Sequence, residues 1–284
     1  MLCDKGPARP TRIIAPTSAA TASACAAAPS TRGCRLLEYV YASATTATST
    51  AFGDVGGQVR EIRLWSTEPG ASAATSKAVH AYEYDDEGRL RRAWNPQISP
   101  ALVTAYTYDA AGRVTSLTTP GELPWTFTYS QAGNDPSAGE GMLLKATRAA
   151  LKEGTAGTVE GEATTCVVYG VPLSGPSAPY VMDRDTVRMW GQQDIPTDAT
   201  AVFPADTVPA SHSGSALEQS AYRLATVQYL NVSGERVNLA EPGGRIDNTD
   251  HDRFGNVVRE LSAGNEETAL GTTTAARKSL PIWG

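Results

Sequence analysis

The side chains that could do chemistry are few and scattered. Histidines stand only at 80, 212 and 251, and nucleophilic catalysis needs one of them within reach of a serine and oriented by a carboxylate. His212-Ser213-Gly214-Ser215 offers the types. No Gly-x-Ser-x-Gly elbow occurs, however, and that turn is what exposes the serine in such hydrolases. Asp247-Asn248-Thr249-Asp250-His251-Asp252 sets oxygen ligands at alternate positions, as a calcium loop does. With Asp250 as position 1, Asp252 and Gly255 fall at positions 3 and 6, but Phe254 takes position 5 and Leu261 takes position 12, where a bidentate Glu belongs. A polar strand entering a turn is the better reading. Asp183-Arg184-Asp185 reads as an exposed charge cluster in a loop, and neither a phosphate-cradling Gly-x-x-x-x-Gly-Lys nor a dinucleotide fingerprint is present. The chain therefore reads as non-enzymatic, with no catalytic residue, metal ligand or cofactor assigned.

Cys3, Cys25, Cys34 and Cys166 lack metal-ligand spacing. A disulfide between Cys25 and Cys34 fits an exported protein, and unpaired thiols fit equally well. Asn231-Val232-Ser233 is a formal glycosylation sequon of the kind that arises often by chance.

The elements that would position these side chains are announced by a repeat. Tyr84-Asp85-Asp86-Glu87-Gly88-Arg89-Leu90 returns 24 residues later as Tyr108-Asp109-Ala110-Ala111-Gly112-Arg113-Val114. Tyr82 and Tyr84, like Tyr106 and Tyr108, lie on one face of a strand with period two. Asp then caps a turn, Gly supplies positive φ, and Arg with an aliphatic residue resumes the strand. His251-Asp252-Arg253-Phe254-Gly255-Asn256-Val257 is a weaker copy, and Leu230-Asn231-Val232-Ser233-Gly234-Glu235 is the most degraded. Fixed spacing of one turn signals a stack of hairpins.

These motifs resemble the YD repeat of the RHS family, most specifically at 82–90 and 106–114 and more loosely across 80–130 and 222–265. The resemblance implies an all-β fold in which repeated hairpins build a curved or spiral open sheet, a segment of a hollow shell. It also implies a non-catalytic role, with partners that are further repeats or a C-terminal toxin domain of the same or a neighbouring chain. Tyr84, Asp85, Gly88, Arg89, Tyr108, Asp109, Gly112, Arg113, Asp252 and Gly255 are then structural turn residues. Toxin-releasing members resemble one another in a self-cleavage region with Asp-Pro-x-Gly-Leu at its heart. The nearest string here, Asp135-Pro136-Ser137-Ala138-Gly139, departs from it.

Composition agrees with a β-rich chain. Among 284 residues, 26 glycines and 18 prolines mark frequent turns, and eleven tyrosines outnumber four phenylalanines, which suits half-buried strands. A net charge of −6 argues against nucleic-acid partners, which are met with a basic stripe. Arg89, Arg91 and Arg92 read as a solvated strand face. No stretch reaches about 18 apolar residues, so no membrane span is expected.

Residues 1–34 read as a low-complexity, disordered lead; Ala24-Cys25-Ala26 resembles a cleavage site, but the run before it is mostly Ala, Ser and Thr around Pro16, a poor signal peptide. Residues 35–171 carry strands, the clearest being Trp125–Tyr129 with Trp125, Phe127 and Tyr129 on one face. Six prolines mark 172–220 as an irregular insertion anchored by Tyr180, Trp190 and Phe203. A degenerate repeat region at 221–265 and a tail at 266–284 complete the chain. Two strong and two weak repeats are marginal for a stack that needs about three, so the chain is read as a piece of a longer shell that aggregates or oligomerises alone, its open edges inviting pairing. The competing function is a secreted or cell-surface module binding carbohydrate, in which Trp65, Trp94, Trp125 or Trp190 forms a stacking platform.

Overall fold

The computed structural model describes residues 9–130, 139–151 and 158–264. They form two compact units, which divide at Pro124 and Trp125, inside the stretch 35–171 that the sequence presents as one repeat region. Both units are antiparallel β, as the repeats predict.

The first unit holds β1 (Arg12–Ile14), α1 (Ala22–Ala27), β2 (Leu36–Tyr41), β3 (Val59–Ser66), β4 (Thr75–Tyr84), β5 (Leu90–Trp94), β6 (Thr104–Tyr108) and β7 (Val114–Thr118). Each strand pairs antiparallel with the next. Side chains of β3, β5 and β7 are mostly half-buried on both faces. The apolar core is correspondingly small: Cys25, Cys34, Leu36 and Ala74, with Ile14, Ala20 and Trp65 packed against it. The lead at 9–34 is built into this core rather than disordered. Arg12 pairs in register with Glu38, Thr21 caps α1 by accepting from Ala24 N, and Cys25 is bridged to Cys34. Composition misses this because the ordering comes from a partner strand and a cross-link, not from local propensity.

The second unit holds β8 (Trp125–Tyr129), β9 (Leu143–Leu151), β10 (Thr158–Val168), α2 (Arg184–Met189), β11 (Asp198–Phe203), β12 (Thr226–Leu230), β13 (Arg236–Glu241), β14 (Arg245–His251) and β15 (Val257–Leu261). Again each strand pairs antiparallel with the next. Alternation here is strict: β11, β12 and β14 bury every second residue. Phe203, Val227, Tyr229 and Ile246 thereby face one large core, which they share with Met182, Val187, Trp190, Leu217 and Tyr222.

Met182, Val187, Trp190 and Leu217, though not Tyr222, come from the segment 172–220 read as an irregular insertion, and that reading needs correction. It contains a central strand, β11, paired on both sides, with Pro196 and Pro204 outside its ends where a missing N–H costs no ladder bond. It also contains α2. Asp183, read as part of a loop charge cluster, is its N-cap and accepts from Thr186 N at 2.9 Å. The proposed anchors Tyr180, Trp190 and Phe203 are all buried.

Candidate functional site

The repeat turns are built from one set of hydrogen bonds. In the first, Asp85 N donates to Arg89 O at 3.1 Å and Gly88 N donates to Asp85 O at 3.0 Å. Asp85 Oδ1 accepts from the main-chain N–H of Glu87 and Arg89, while Oδ2 accepts from Arg89 Nε at 2.8 Å and Arg91 Nη1 at 3.4 Å. The aspartate thus folds the turn with one oxygen and holds the arginines with the other. The second copy repeats this: Asp109 Oδ1 accepts from Ala111 N and Arg113 N, and Oδ2 from Arg113 Nε at 2.7 Å. Gly88 and Gly112 both sit at φ +79°, a value that only glycine adopts without strain.

The two copies that look degraded in sequence are intact in geometry. Asp252 Oδ1 accepts from Phe254 N and Asn256 N, with Asn256 Nδ2 on Oδ2 at 3.0 Å in place of the guanidinium. Asn231 Oδ1 accepts from Ser233 N and Glu235 N, and here the polarity reverses, since Asn231 Nδ2 donates to Glu235 Oε2 at 2.8 Å. Two hairpins without the motif close the same way. Ala42 N donates to Gln58 O with Gly57 N returning to Ala42 O, and Ser130 N donates to Met142 O with Gly141 N returning to Ser130 O. In every one of these six hairpins the register slips by one residue immediately before the residue ahead of the turn. Sequence shows four of the six, because the Ala42 and Ser130 hairpins separate their closing residues by long loops.

Successive hairpins are tied by the tyrosines. Tyr84 Oη donates to Val59 O at 2.6 Å, Tyr108 Oη to Leu90 O at 2.7 Å and Tyr169 Oη to Leu143 O at 2.8 Å. Each reaches back to the first residue of the strand leaving an earlier turn. Arg89 lies 5.4 Å from the centre of the Tyr108 ring, and Arg91 lies 4.6 Å from that of Phe52. Arg89 and Arg91 are therefore half-buried structural cations, not the solvated face their sequence suggests; only Arg92 is largely exposed.

These contacts set the carboxylate chemistry. Burial pushes the Asp85 carboxyl up, but the bonds from Arg89 and Arg91 outweigh it and hold its pKa below the ordinary range. The Asp109 pKa is lowered chiefly by the Arg113 main-chain N–H, and that of Asp252 by the Asn256 side chain. Low pKa values keep all three ionised and bound to their own turns, the wrong state for a proton donor near neutral pH.

The four candidate tryptophans differ in their surroundings. Trp190 is buried in the second unit's core, which excludes it from stacking an external ligand. Trp65 packs on the first unit's small core and donates Nε1–H to Glu38 Oε2 at 2.8 Å. Trp125 carries Arg148 at 4.8 Å from its ring, and Trp94 is half-buried at the end of β5. His80 is exposed beside Tyr82, and His212 uses Nδ1 on Val167 O at 2.7 Å, tying a loop to β10. Of Asp135-Pro136-Ser137-Ala138-Gly139, all but Gly139 lie outside the described residues.

One grouping was not legible beforehand. His251 Nδ1 stands 3.3 Å from Asp194 Oδ2 and 4.0 Å from Glu235 Oε2. Asp194 is delivered by the loop after α2, whose Gln193 and Asp194 N–H groups both donate to Asp250 Oδ1. Arg259 clamps the same loop, bonding Asp250 Oδ2, Gly191 O and Trp190 O. Beside it Gln192 and Asn238 exchange reciprocal amide bonds in the core. The available signal was the replacement of a repeat tyrosine by His251.

The RHS Repeat family profile matches residues 84–124 and 108–134. No curated protein matches the chain. Among solved structures, a chain of the Photorhabdus luminescens Tc holotoxin pore is similar at a TM-score of 0.31 and 11% identity, over 80% of this chain and 11% of that one. A chain of the TcdB2-TccC3 crystal structure is similar at 0.29 and 12% identity, over 88% of this chain and 13% of that one. This chain spans at most 13% of the length of either. TM-scores of this size carry no weight, so the assignment rests on the repeats themselves. Residues 84–134 match the family, and within them the turns at Asp85 and Asp109 are closed by its Asp, Gly and Arg, so this stretch is a pair of RHS/YD repeats.

Proposed function

We propose that the chain is a non-catalytic wall segment of an RHS/YD-repeat shell that encloses or presents a toxin or effector domain outside the cell. One observation carries this reading: the conspicuous charged residues of the matched repeats are spent on holding their own hairpins. Asp85 and Asp109 are saturated by main-chain N–H groups and by Arg89 and Arg113. The Cys25–Cys34 bridge supports an oxidising destination. No helix among the described residues is long and apolar enough to cross a membrane.

The test is protection of cargo. The full chain is co-expressed with the products of the adjoining reading frames, and the purified assembly is digested with trypsin. An effector domain that survives in the assembly and is degraded when freed from it supports the wall role. Equal digestion in both states overturns it.

A further inference from the structure

We propose that Asp194, Glu235 and His251 form a binding site for one divalent first-row transition ion, which staples the loop after α2 to the hairpin sheet. One ligand atom from each residue lies within 4.8 Å of the other two. Two carboxylates and a neutral imidazole supply a charge of −2 to match a dication. Ions of this class take imidazole and carboxylate ligands at about 2.0–2.2 Å. Two ligands at such distances on one tetrahedral centre lie about 3.3–3.5 Å apart, a spacing that His251 Nδ1 and Asp194 Oδ2 already have at 3.3 Å and that Glu235 Oε2 approaches at 4.0 Å from the imidazole.

The position of the three residues in the repeat is the second argument. In the first matched repeat the residue after the turn glycine, Arg89, lies over the tyrosine that precedes the next turn, Tyr108. Glu235 and His251 hold the same two positions one repeat apart, so an arginine–tyrosine contact is replaced by a carboxylate facing an imidazole. Both substitutions put metal-ligating groups where the fold already makes two side chains meet. Asp194 then arrives from a separate segment, and its supports are in place. Asp250 Oδ1 fixes its main chain, His251 N donates to its Oδ2 at 2.6 Å, and Asn231 Nδ2 orients Glu235. Supporting bonds of this kind are what keep metal ligands oriented. All three side chains are largely shielded but reachable, at 10%, 25% and 27% exposure for His251, Asp194 and Glu235.

The probe is Zn2+ added to the full chain freed of metal with chelator. Titration calorimetry at neutral pH is expected to show about one ion per chain, and Zn2+ to raise the melting midpoint. Glu235→Gln keeps the shape and the Asn231 contact while removing the charge; it is expected to weaken binding by at least about tenfold. His251→Tyr restores the ordinary repeat residue and is expected to abolish binding while keeping the far-UV circular dichroism of the parent. No saturable binding by the parent protein overturns the proposal, as does equal binding by the parent and both variants. A midpoint that follows pH but ignores Zn2+ also overturns it, because the cluster is then a histidine held between carboxylates.

Discussion

The two units use the same hairpin and stabilise it differently. In the first, strand faces are half-buried, the apolar core amounts to a disulfide with a few neighbours, and polar turn chemistry is at its richest, with Asp85 holding both Arg89 and Arg91. In the second, the turns keep the fold of the motif with weaker partners, Asn256 or Glu235, while Phe203, Tyr229 and Val227 are fully buried in one large core with Met182, Val187 and Trp190. A larger apolar core accompanies the loss of the turn ion pairs. Repeat chemistry and core packing thus substitute for one another along one chain.

That contrast can be broken by measurement, and the largest effect should come from the second unit's core. Phe203→Ala empties a fully buried site and should cost about 3–5 kcal/mol by urea denaturation followed by tryptophan fluorescence. In the first unit, replacing Cys25 and Cys34 together by Ser should cost about 2–3 kcal/mol, from opening a loop of sequence separation 9. Asp85→Asn should follow at about 1.5–3 kcal/mol, since it strips the charge from a nearly buried carboxylate and leaves Arg89 and Arg91 facing a neutral amide. Asp252→Asn should give the smallest shift of midpoint, because its partner Asn256 is neutral and exposed. If Asp252→Asn matches Asp85→Asn, the division of labour between the units is wrong.

Acid sharpens the same comparison. Asp85, Asp109 and Asp252 have folded-state pKa values below their unfolded ones, so their contribution is complete above the unfolded value of about 3.9 and is lost as pH falls through the folded values. Stability measured in urea from pH 6 down to pH 2 should fall below about pH 4, and Asp85→Asn should flatten part of that fall.

Much of the fold was legible because a period-two pattern and a turn glycine are local signals. Tyr82 and Tyr84, Trp125 to Tyr129 and the four Asp-or-Asn turns show themselves without any partner. What stayed hidden depends on distant chain. Residues 9–34 are ordered by β2 and a cross-link, and β11 is a strand because β10 and β12 flank it. The meeting of Asp194 with His251 joins residues 57 positions apart. The weakness attributed to the later repeats came from scoring residue types, whereas Asn231 closes its turn as completely as Asp85 does by presenting the same carbonyl-like oxygen to the main chain.

The long-looped hairpins at Ala42 and Ser130 carry a further implication. Their closing bonds are the ones that seal the short turns, yet the peptide between Ala42 and Gln58 is many residues longer than that between Asp85 and Arg89. Strand register is thus set below the tip, with Phe52 and Gly53 of the Ala42 loop reaching Arg91 and Tyr84 of the next hairpin, while each doubling of loop length adds only about 0.6 kcal/mol of closure entropy. The Ala42 loop offers a grafting site only at its far end: foreign peptide spliced between Ser49 and Thr50, away from Phe52 and Gly53, should be carried as a decoration that leaves the scaffold's alignment untouched.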